Sequence, residues 1–324
     1  MRSRKYRFFV GDFETTVYKG QVRTEVWASA CVELFTEDVQ IFHSIEDTME
    51  YFENLNCNII CYYHNLKFDG EFWLSYLLFS GKYTQALVKE KEDSTENMYF
   101  KEPWNLKSNE FIYSISSMGQ WYKIVIKHGD YLIELRDSLK LLPFSVKKIG
   151  KSFGTKHKKL DMEYTGIRYA GCTITEEEQA YIKNDVLVIK EALEIMHTEG
   201  HKKLTIGCCC LAEYKRSIGR GNYHKLFPNI YDIKIDKELY GEENAGEYIR
   251  NSYRGGWCYV VKGKEKQIKH NGITADVNSL YPSMMSSESR NKYPVGKPTF
   301  WKGNYIPEEA LRYYNYYFKI GRHT

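Results

Sequence analysis

Two acidic side chains at the end of a short apolar stretch are the first candidates for chemistry in this sequence. Asp12 and Glu14 follow Tyr6, Phe8 and Val10, which alternate as the residues of a β-strand do. Because residues i and i+2 of a strand share a face, both carboxylates should project to the same side. Neighbouring anions raise each other's pKa unless a cation lies between them, and divalent cations prefer carboxylate oxygens. The pattern indicates either a metal site or a solvated strand end or helix N-terminus.

A third acidic residue, Asp69, lies between two predicted elements further along the chain. Residues 58–61 form an apolar stretch typical of a strand, and residues 72–78 are typical of a helix. Asp69 is therefore predicted to lie at a strand-to-helix junction, where the sites of α/β proteins are commonly built.

A fourth acidic residue, Asp185, is predicted to lie on a long helix. Thr175 and Glu178 have the spacing of a capping box at its start, and the helix should end before Gly200. Tyr181 and Asp185 are four residues apart, so they should share one face of this helix.

The elements that must position these side chains are strands and helices in mixed order. Further strands are predicted at residues 25–34, 39–42, 111–116, 120–127, 131–135 and 258–262, and another leads into a helix from residue 273. Further helices are predicted at residues 44–55, 145–153 and 202–216. The first three strands should form one antiparallel sheet, and the polar stretch 89–109 should be a surface loop or insertion. The order predicts a mixed α/β fold, with a central sheet flanked by helices.

Composition restricts the class of protein. The 324 residues are enough for two domains or one large one, and the apolar fraction of 43% is typical of a globular protein. The net charge is only +4, but basic residues cluster between Arg136 and Lys159 and between Lys202 and Lys225, as on surfaces that follow a phosphate backbone or on solvated faces. The eight cysteines lack the spacing of a zinc site, and no stretch approaches the ~20 apolar residues of a membrane span. A reduced, cytosolic protein is expected.

Taken in order, the acidic residues define three motifs, namely Asp-x-Glu, Asn-x-x-Phe-Asp and Tyr-x-x-x-Asp. They resemble the three exonuclease motifs of the DEDDy 3′–5′ exonucleases, which are the proofreading domains of family B DNA polymerases. Longer matches resemble the protein-primed family B polymerases of small phages and linear plasmids: Phe-Glu-Thr-Thr, His-Asn-Leu-Lys-Phe-Asp-Gly, Met-Gly-Gln-Trp-Tyr, Asp-Ser-Leu-Lys-x-Leu-Pro-Phe and Tyr-Ile-Lys-Asn-Asp. The resemblance implies a ribonuclease-H-like exonuclease domain at residues 1–200 and the incomplete start of a polymerase domain at residues 201–324. It also implies a cytoplasmic phage, prophage or plasmid protein in a bacterial host.

By this resemblance, DNA would be hydrolysed with two divalent ions, Mg²⁺ or Mn²⁺. The residues implied to hold them are Asp12, Glu14, Asp69 and Asp185. Asp12 would bridge the two ions, and Tyr181 would orient the attacking water. Lys159 would stabilise charge near the scissile phosphate, with the adjacent Lys158 as the alternative candidate.

The implied substrate is the unpaired 3′ end of single-stranded DNA. The positions that match family contacts with it are Thr15, Tyr62, His64, Asn65, Phe68, Phe72, Ser138, Leu139 and Tyr164. Phe68 and Phe72 could equally be core residues, because they are four apart at a helix start. Asn65 could instead serve the turn in which it lies.

The last third of the chain resembles the beginning of a family B polymerase domain. The positions implied to contact primer-template DNA are Tyr253, Gly255 and Gly256, and those implied to bind a dNTP are Asp276, Val277, Ser279 and Tyr281. Asp276 would also be a metal ligand, and Tyr281 would stack under the incoming sugar.

The Lys-x-x-x-Asn-Ser-x-Tyr-Gly and Asp-Thr-Asp motifs of this family do not occur beyond Lys292. The chain is therefore expected not to synthesise DNA alone, because nucleotidyl transfer needs a second aspartate. Residues from about Ile273 onwards are expected to be mobile or to be completed by a C-terminal polymerase polypeptide, and a terminal, priming protein is a further expected partner. The alternative is a split or truncated product that binds DNA or a partner without catalysis.

Overall fold

The computed structural model describes residues 5–89, 98–162, 166–253, 255, 258–268, 270–273, 275–291, 293–305 and 308. They belong to two compact units, Met1–Ala212 and Glu213–Thr324. The predicted boundary after residue 200 lies in the connection between two helices of the chain, and its role as a domain boundary remains a prediction.

The strands described in the first unit form one mixed sheet of eight strands and a separate two-stranded hairpin. They are β1 (Arg7–Thr15), β2 (Val26–Glu33), β3 (Val39–Phe42), β4 (Ile59–Tyr63), β5 (Thr84–Gln85), β6 (Leu87–Lys89), β7 (Met98–Phe100), β8 (Glu110–Ile115), β9 (Trp121–His128) and β10 (Tyr131–Asp137). The order in the large sheet is β3-β2-β1-β4-β10-β9-β8-β5. As predicted, the first three strands pair antiparallel.

The three central strands bring their carboxyl ends to one edge of the sheet. β4 pairs in parallel with β1 on one side and with β10 on the other. The residues that end these strands, namely Asp12–Thr15 on β1, Tyr63 on β4 and Asp137 on β10, therefore lie side by side at one edge. This edge is where the acidic motifs meet.

Helices cover both faces of the sheet, as the sequence predicts. They are α1 (Ile45–Asn54), α2 (Leu66–Phe79), α3 (Val146–Ser152), α4 (Glu176–Thr198) and α5 (Ile206–Ile218). On one face Val10 and Ile60 pack with Ile182 and Val186 of α4. On the other face the core includes Phe9 of β1, Phe52 of α1 and Trp73 of α2.

Several boundaries differ from those predicted. α2 begins at Leu66, six residues earlier than predicted, so Asp69 lies in its first turn rather than before it. Of the two alternatives for residues 89–109, a surface loop or an insertion, the loop is wrong for part of the stretch, because Met98–Phe100 pair antiparallel with Leu87–Lys89. Residues 90–97 of the same stretch lie outside the described ones.

The described part of the second unit consists of short helices and connecting segments. The helices are α6 (Arg220–Leu226), α7 (Lys237–Tyr240), α8 (Ala245–Ser252) and α9 (Leu280–Met285). The rings of Tyr240, Tyr248 and Phe300 meet at centroid distances of 5.4–5.6 Å.

The two strands predicted in this unit are not formed. Residues 258–262, and those of residues 273–279 that the structure describes, have no strand partner. Tyr259 and Val260 favour extended structure, but a strand needs a neighbour for its backbone N–H and C=O groups, and both side chains are exposed. None of the helices in the described residues is long and apolar enough to cross a membrane.

Candidate functional site

β1 presents its alternate residues to opposite faces of the sheet. Val10 lies in the core on the α4 side, with Tyr6 and Phe8 packed against that core, whereas Phe9 and Phe13 belong to the core on the other side. The predicted alternation is therefore confirmed. Asp12 and Glu14 continue the Val10 side beyond the apolar part of the strand, and both are half-buried.

α4 carries Asp185 to the same place. The helix begins with the predicted capping box, in which the backbone N–H of Glu178 donates to the Thr175 hydroxyl at 3.3 Å and that of Thr175 donates to the Glu178 carboxylate at 2.9 Å. Asp185 shares the buried face of α4 with Ile182. Ligand oxygens of Asp12, Glu14 and Asp185 lie within 4.8 Å of one another, so these three carboxylates converge as predicted.

Asp69 approaches this cluster from the first turn of α2. It is 2% exposed and is not part of the group within 4.8 Å, but its charge is close enough to raise the pKa of Asp12. Burial raises the pKa of Asp69 itself to about 8, although backbone hydrogen bonds oppose the shift. Glu14 and Asp137 add to it by repulsion.

The electrostatics of the four carboxylates fit a divalent cation. Limited access to water raises the pKa of Asp12, and Asp69, Glu14 and Asp185 raise it further by repulsion. Among the described residues, Oδ1 of Asp69 and Oδ1 of Asp185 are buried and accept no hydrogen bond. Buried carboxylate oxygens without a donor are costly, whereas hard cations bind such oxygens directly. The donor set therefore fits Mg²⁺ or Mn²⁺.

Lys159 supplies positive charge at the cluster. Its ammonium donates to Asp185 Oδ2 and, at 2.7 Å, to the Tyr181 hydroxyl, and it lies 4.6 Å from the centroid of the Tyr181 ring. Burial alone would lower the pKa of Lys159, but the hydrogen bonds to Asp185 and Tyr181 raise it overall. The ammonium of Lys158 instead donates to the backbone carbonyls of Gly150 and Thr155. Of the two candidate lysines, Lys159 is the one that contacts the cluster.

Asp137, a buried carboxylate that connects the elements of the site, was not among the predicted site residues. Its Oδ1 accepts from three backbone N–H groups, those of Asn65 and Leu66 at 3.2 Å and of Leu139 at 3.0 Å. These bonds join the end of β10 to the start of α2, one turn before Asp69. The sequence does contain a signal for Asp137, because it is the single acid in the basic stretch between Arg136 and Lys159.

Three of the predicted DNA contacts, His64, Asn65 and Ser138, take part in the same connection between β10 and α2. Nδ1 of His64 lies 3.0 Å from the Ser138 hydroxyl, and its Nε2 donates to the carbonyl of Phe144 at 2.8 Å. Burial lowers the pKa of His64. Asn65 has a left-handed backbone with φ of +71°, a conformation that asparagine tolerates, and it is exposed. Asn65 therefore adopts the backbone conformation that the turn before α2 requires, and its side chain remains accessible to solvent.

The other predicted contacts differ in exposure. Phe68 is 47% exposed and is not a core residue, whereas Phe72, in edge-to-face contact with it at 5.5 Å, packs against the core on the α2 side. Tyr62 and Thr15 are buried, and Leu139 is half-buried. The Tyr62 hydroxyl is 3.3 Å from Nε2 of His197, so its ring is part of the core. Tyr164 lies outside the described residues, and the DNA contacts stay predictions.

Among the described residues, the predicted polymerase residues form no cluster of potential metal ligands. Asp276, Val277 and Tyr281 are exposed, and Ser279 precedes α9 with a left-handed φ of +53°. Tyr253 and Gly255 are exposed, while Gly256 lies outside the described residues. Within the part of the chain that the structure describes, the one group of three potential metal ligands is Asp12, Glu14 and Asp185, and Asp276 belongs to none.

Comparison with known proteins identifies the class. Residues 50–171 and 168–324 match the family described as DNA polymerase type B, organellar and viral. The chain belongs to this family, and the resemblance to protein-primed family B polymerases is confirmed.

Among its relatives, the DNA polymerase of Bacillus phage B103 is 35% identical over 95% of this chain and 49% of its own length. The DNA polymerase of Streptococcus phage Cp-1 is 28% identical over 96% of this chain and 50% of its own length. The chain thus spans about half the length of the curated relatives it matches.

Solved structures show the same fold. Phi29 DNA polymerase complexed with primer-template DNA and incoming nucleotides matches with a TM-score of 0.71 and 30% identity, over 95% of this chain and 48% of that one. Phi29 DNA polymerase complexed with single-stranded DNA matches with a TM-score of 0.60 and 30% identity, over 80% of this chain and 41% of that one. The predicted mixed α/β, ribonuclease-H-like fold class is confirmed.

Proposed function

We propose that the first unit is a metal-dependent 3′–5′ exonuclease that removes nucleotides from the unpaired 3′ end of DNA. The observation that carries this proposal is the convergence of Asp12, Glu14 and Asp185 within 4.8 Å, with Asp69 buried beside them. Carboxylates that repel one another, with a buried oxygen on Asp69 and another on Asp185 that accept no hydrogen bond, fit a site for divalent cations.

Asp12, Glu14, Asp69 and Asp185 would hold Mg²⁺ or Mn²⁺. When bound, a pair of such ions supplies charge stabilisation at both the attacking and the leaving oxygen of the phosphate. Lys159 lies beside Asp185 and brings an ammonium to the place where negative charge builds up on the phosphate. The Tyr181 hydroxyl accepts from Lys159, which fixes its orientation next to the cluster, where it can position a water molecule.

A single-stranded substrate is supported by the surface near Asp69. Phe68 exposes nearly half of its side chain in the first turn of α2, where a base could stack on it. The exposed amide of Asn65 lies at the start of the same helix and can bond to a base or to the backbone. The solved phi29 DNA polymerase complexed with single-stranded DNA adds support from a relative.

In this proposal the nuclease is the proofreading part of a protein-primed DNA polymerase of a phage or related replicon in a bacterial host. Primer-template DNA, dNTPs and a terminal, priming protein would then be partners of the whole protein, as would a C-terminal polymerase polypeptide if the gene is split. Asp276, Ser279 and Tyr281 would belong to its nucleotide site.

The polarity of digestion tests the proposal. A 5′-labelled single-stranded oligonucleotide, incubated with the protein and Mg²⁺ or Mn²⁺, should give a ladder of fragments that shorten from the 3′ end. The same oligonucleotide with a 3′-terminal phosphorothioate linkage should resist. Intact DNA in the presence of folded protein would contradict the proposal, and DNA that is bound but uncut would favour the binding-module alternative.

A further inference from the structure

Residues 155–159, the segment that ends in Lys159, are hydrogen-bonded to the two neighbouring helices, α3 and α4. Thr155 is buried, and its hydroxyl lies 2.6 Å from the carbonyl oxygen of His157. Its backbone N–H donates to the carbonyl of Gly150, a residue of α3, at 3.2 Å. The fit is close, because a Cβ added to Gly150 would lie 3.2 Å from Oγ1 of Thr155.

Lys158 and Lys159 are adjacent in sequence, but their side chains extend in opposite directions. The Lys158 ammonium donates to the Gly150 carbonyl at 3.0 Å and to that of Thr155, so it binds the segment back onto α3. Lys159 extends the other way, to Asp185 and Tyr181 on α4. Lys158 is thereby kept away from the carboxylates.

Two further side chains fasten the segment to α4. The Glu191 carboxylate accepts from the His157 backbone N–H at 3.3 Å and from its ring Nδ1 at 2.5 Å. The Asn184 side-chain amide donates to the carbonyl oxygen of Lys158. Asn184 precedes Asp185 directly, and Glu191 lies further along the same helix. The helix that carries the contact partners of Lys159 therefore also fixes the backbone from which Lys159 extends.

We propose that His157, Lys158, Asn184 and Glu191 form a clamp that positions Lys159 for the reaction, and this rests on the proposed exonuclease function. A lysine side chain is long and flexible, so holding its ammonium at one place costs conformational entropy. A clamped backbone removes part of that cost before the substrate arrives. The four clamp residues are positioning residues, since they act through Lys159.

A double-mutant cycle tests whether Glu191 acts through Lys159. Glu191→Ala should lower the single-turnover rate on a single-stranded oligonucleotide by on the order of 10–100-fold, as a displacement of about 1 Å does, with little change in the substrate concentration for half-maximal rate. The same change in a Lys159→Ala background should add almost nothing. Glu199→Ala, at an exposed glutamate at the end of α4, is the matched control and should leave the rate unchanged.

A second measurement does not depend on activity. Lys159, held by Asp185 and Tyr181, should react slowly with an acylating reagent, as followed by mass spectrometry of its peptide. Glu191→Ala should speed this reaction several-fold, and Glu199→Ala should not. If Glu191→Ala fails to fold, Lys158→Met provides the same comparison.

The outcomes separate the two proposals. A wild-type chain without nuclease activity would contradict the proposed function, while the acylation of Lys159 would still decide about the clamp. An active wild type with equal losses from Glu191→Ala in both backgrounds would overturn the clamp, because the effect would then be general to the structure. An unchanged rate and unchanged acylation in Glu191→Ala would overturn it as well.

Discussion

At the scale of single residues, the clustered carboxylates of the candidate site repel one another and so destabilise the folded protein without metal. The pKa of Asp12 is raised by burial and by Asp69, Glu14 and Asp185, so its charged form is destabilised in the folded protein without metal. We predict that Asp12→Ala combined with Glu14→Ala raises the free energy of unfolding in the absence of metal by about 1 kcal/mol, because repulsion is relieved. Urea unfolding in EDTA measures this.

The same pair of substitutions should abolish stabilisation by metal. Addition of Mn²⁺ should raise the melting temperature of the wild type and leave that of the double variant unchanged, because a ligand that binds only the folded state stabilises it. Equal shifts in both proteins would mean that the cation binds elsewhere.

His197 is a buried histidine outside the candidate site, and it makes stability depend on pH. It is 3% exposed and lies in edge-to-face contact with Phe8. Burial lowers its pKa to about 4, and the charges of Lys202 and Arg136 contribute. Because the unfolded chain binds this proton near pH 6.5 and the folded chain only near pH 4, His197 should cost stability as the pH falls between those values.

Substitution of His197 isolates this effect. Between pH 7 and about pH 4.5 the wild type should lose about 2.5 kcal/mol more stability than His197→Phe, as measured by urea unfolding. Other titrating groups are common to both proteins and cancel. An equal loss of stability in the two proteins would contradict this, because His197 would then be protonated in the folded protein at no cost in stability.

At the scale of elements, the Asp137 carboxylate joins β10 to the start of α2. Asp137→Ala would leave the backbone N–H groups of Asn65, Leu66 and Leu139 without their acceptor. We predict a loss of about 3 kcal/mol in the free energy of unfolding, since hydrogen bonds to a buried charge are strong. Asp130→Ala, at an exposed turn, is the control and should change stability by less than about 0.5 kcal/mol. A similarly small effect of Asp137→Ala would contradict the role given to this carboxylate.

The elements show how far sequence predicts this fold. β3 and α1 were predicted within a residue, because their alternation and the Ser44 cap are local signals. The start of α2 was missed, because Asn65 and Leu66 are held by Asp137, more than seventy residues away in sequence. The strand at residues 258–262 was predicted from side-chain preference alone, and preference does not supply a partner strand.

The residues of the candidate site likewise divide into those that local sequence motifs predict and those that they do not. Asp12, Glu14, Asp69, Tyr181 and Asp185 were found because each motif is local and the motifs follow one another in a known order. Asp137, His157, Asn184 and Glu191 were not predicted, because their contacts are with groups that only the folded chain brings near. Tyr62 was predicted to contact DNA, yet its side chain is 1% exposed.

At the scale of the whole molecule, the predicted metal ligands of the two units are arranged differently. The carboxylates of the first unit converge, whereas Asp276 is exposed and belongs to no group of three ligands among the described residues. We predict that this chain alone does not extend a primer. Purified Asp12→Ala/Glu14→Ala protein, given primer-template DNA, dNTPs and Mn²⁺, should leave the primer unextended, and the double substitution ensures that digestion cannot hide synthesis. Addition of even a few nucleotides would refute this.

The central claim, that Asp12, Glu14, Asp69 and Asp185 form a metal-dependent nuclease centre, is tested most directly by the single-turnover rate of 3′-nucleotide removal. Wild type, Asp12→Ala/Glu14→Ala and the matched control Asp276→Ala should be compared on one single-stranded oligonucleotide with Mn²⁺. The rate should fall by at least about 10³-fold in the double variant and remain at the wild-type value in Asp276→Ala. A double variant that digests DNA as fast as the wild type, or a folded wild type that does not digest it, would contradict the claim.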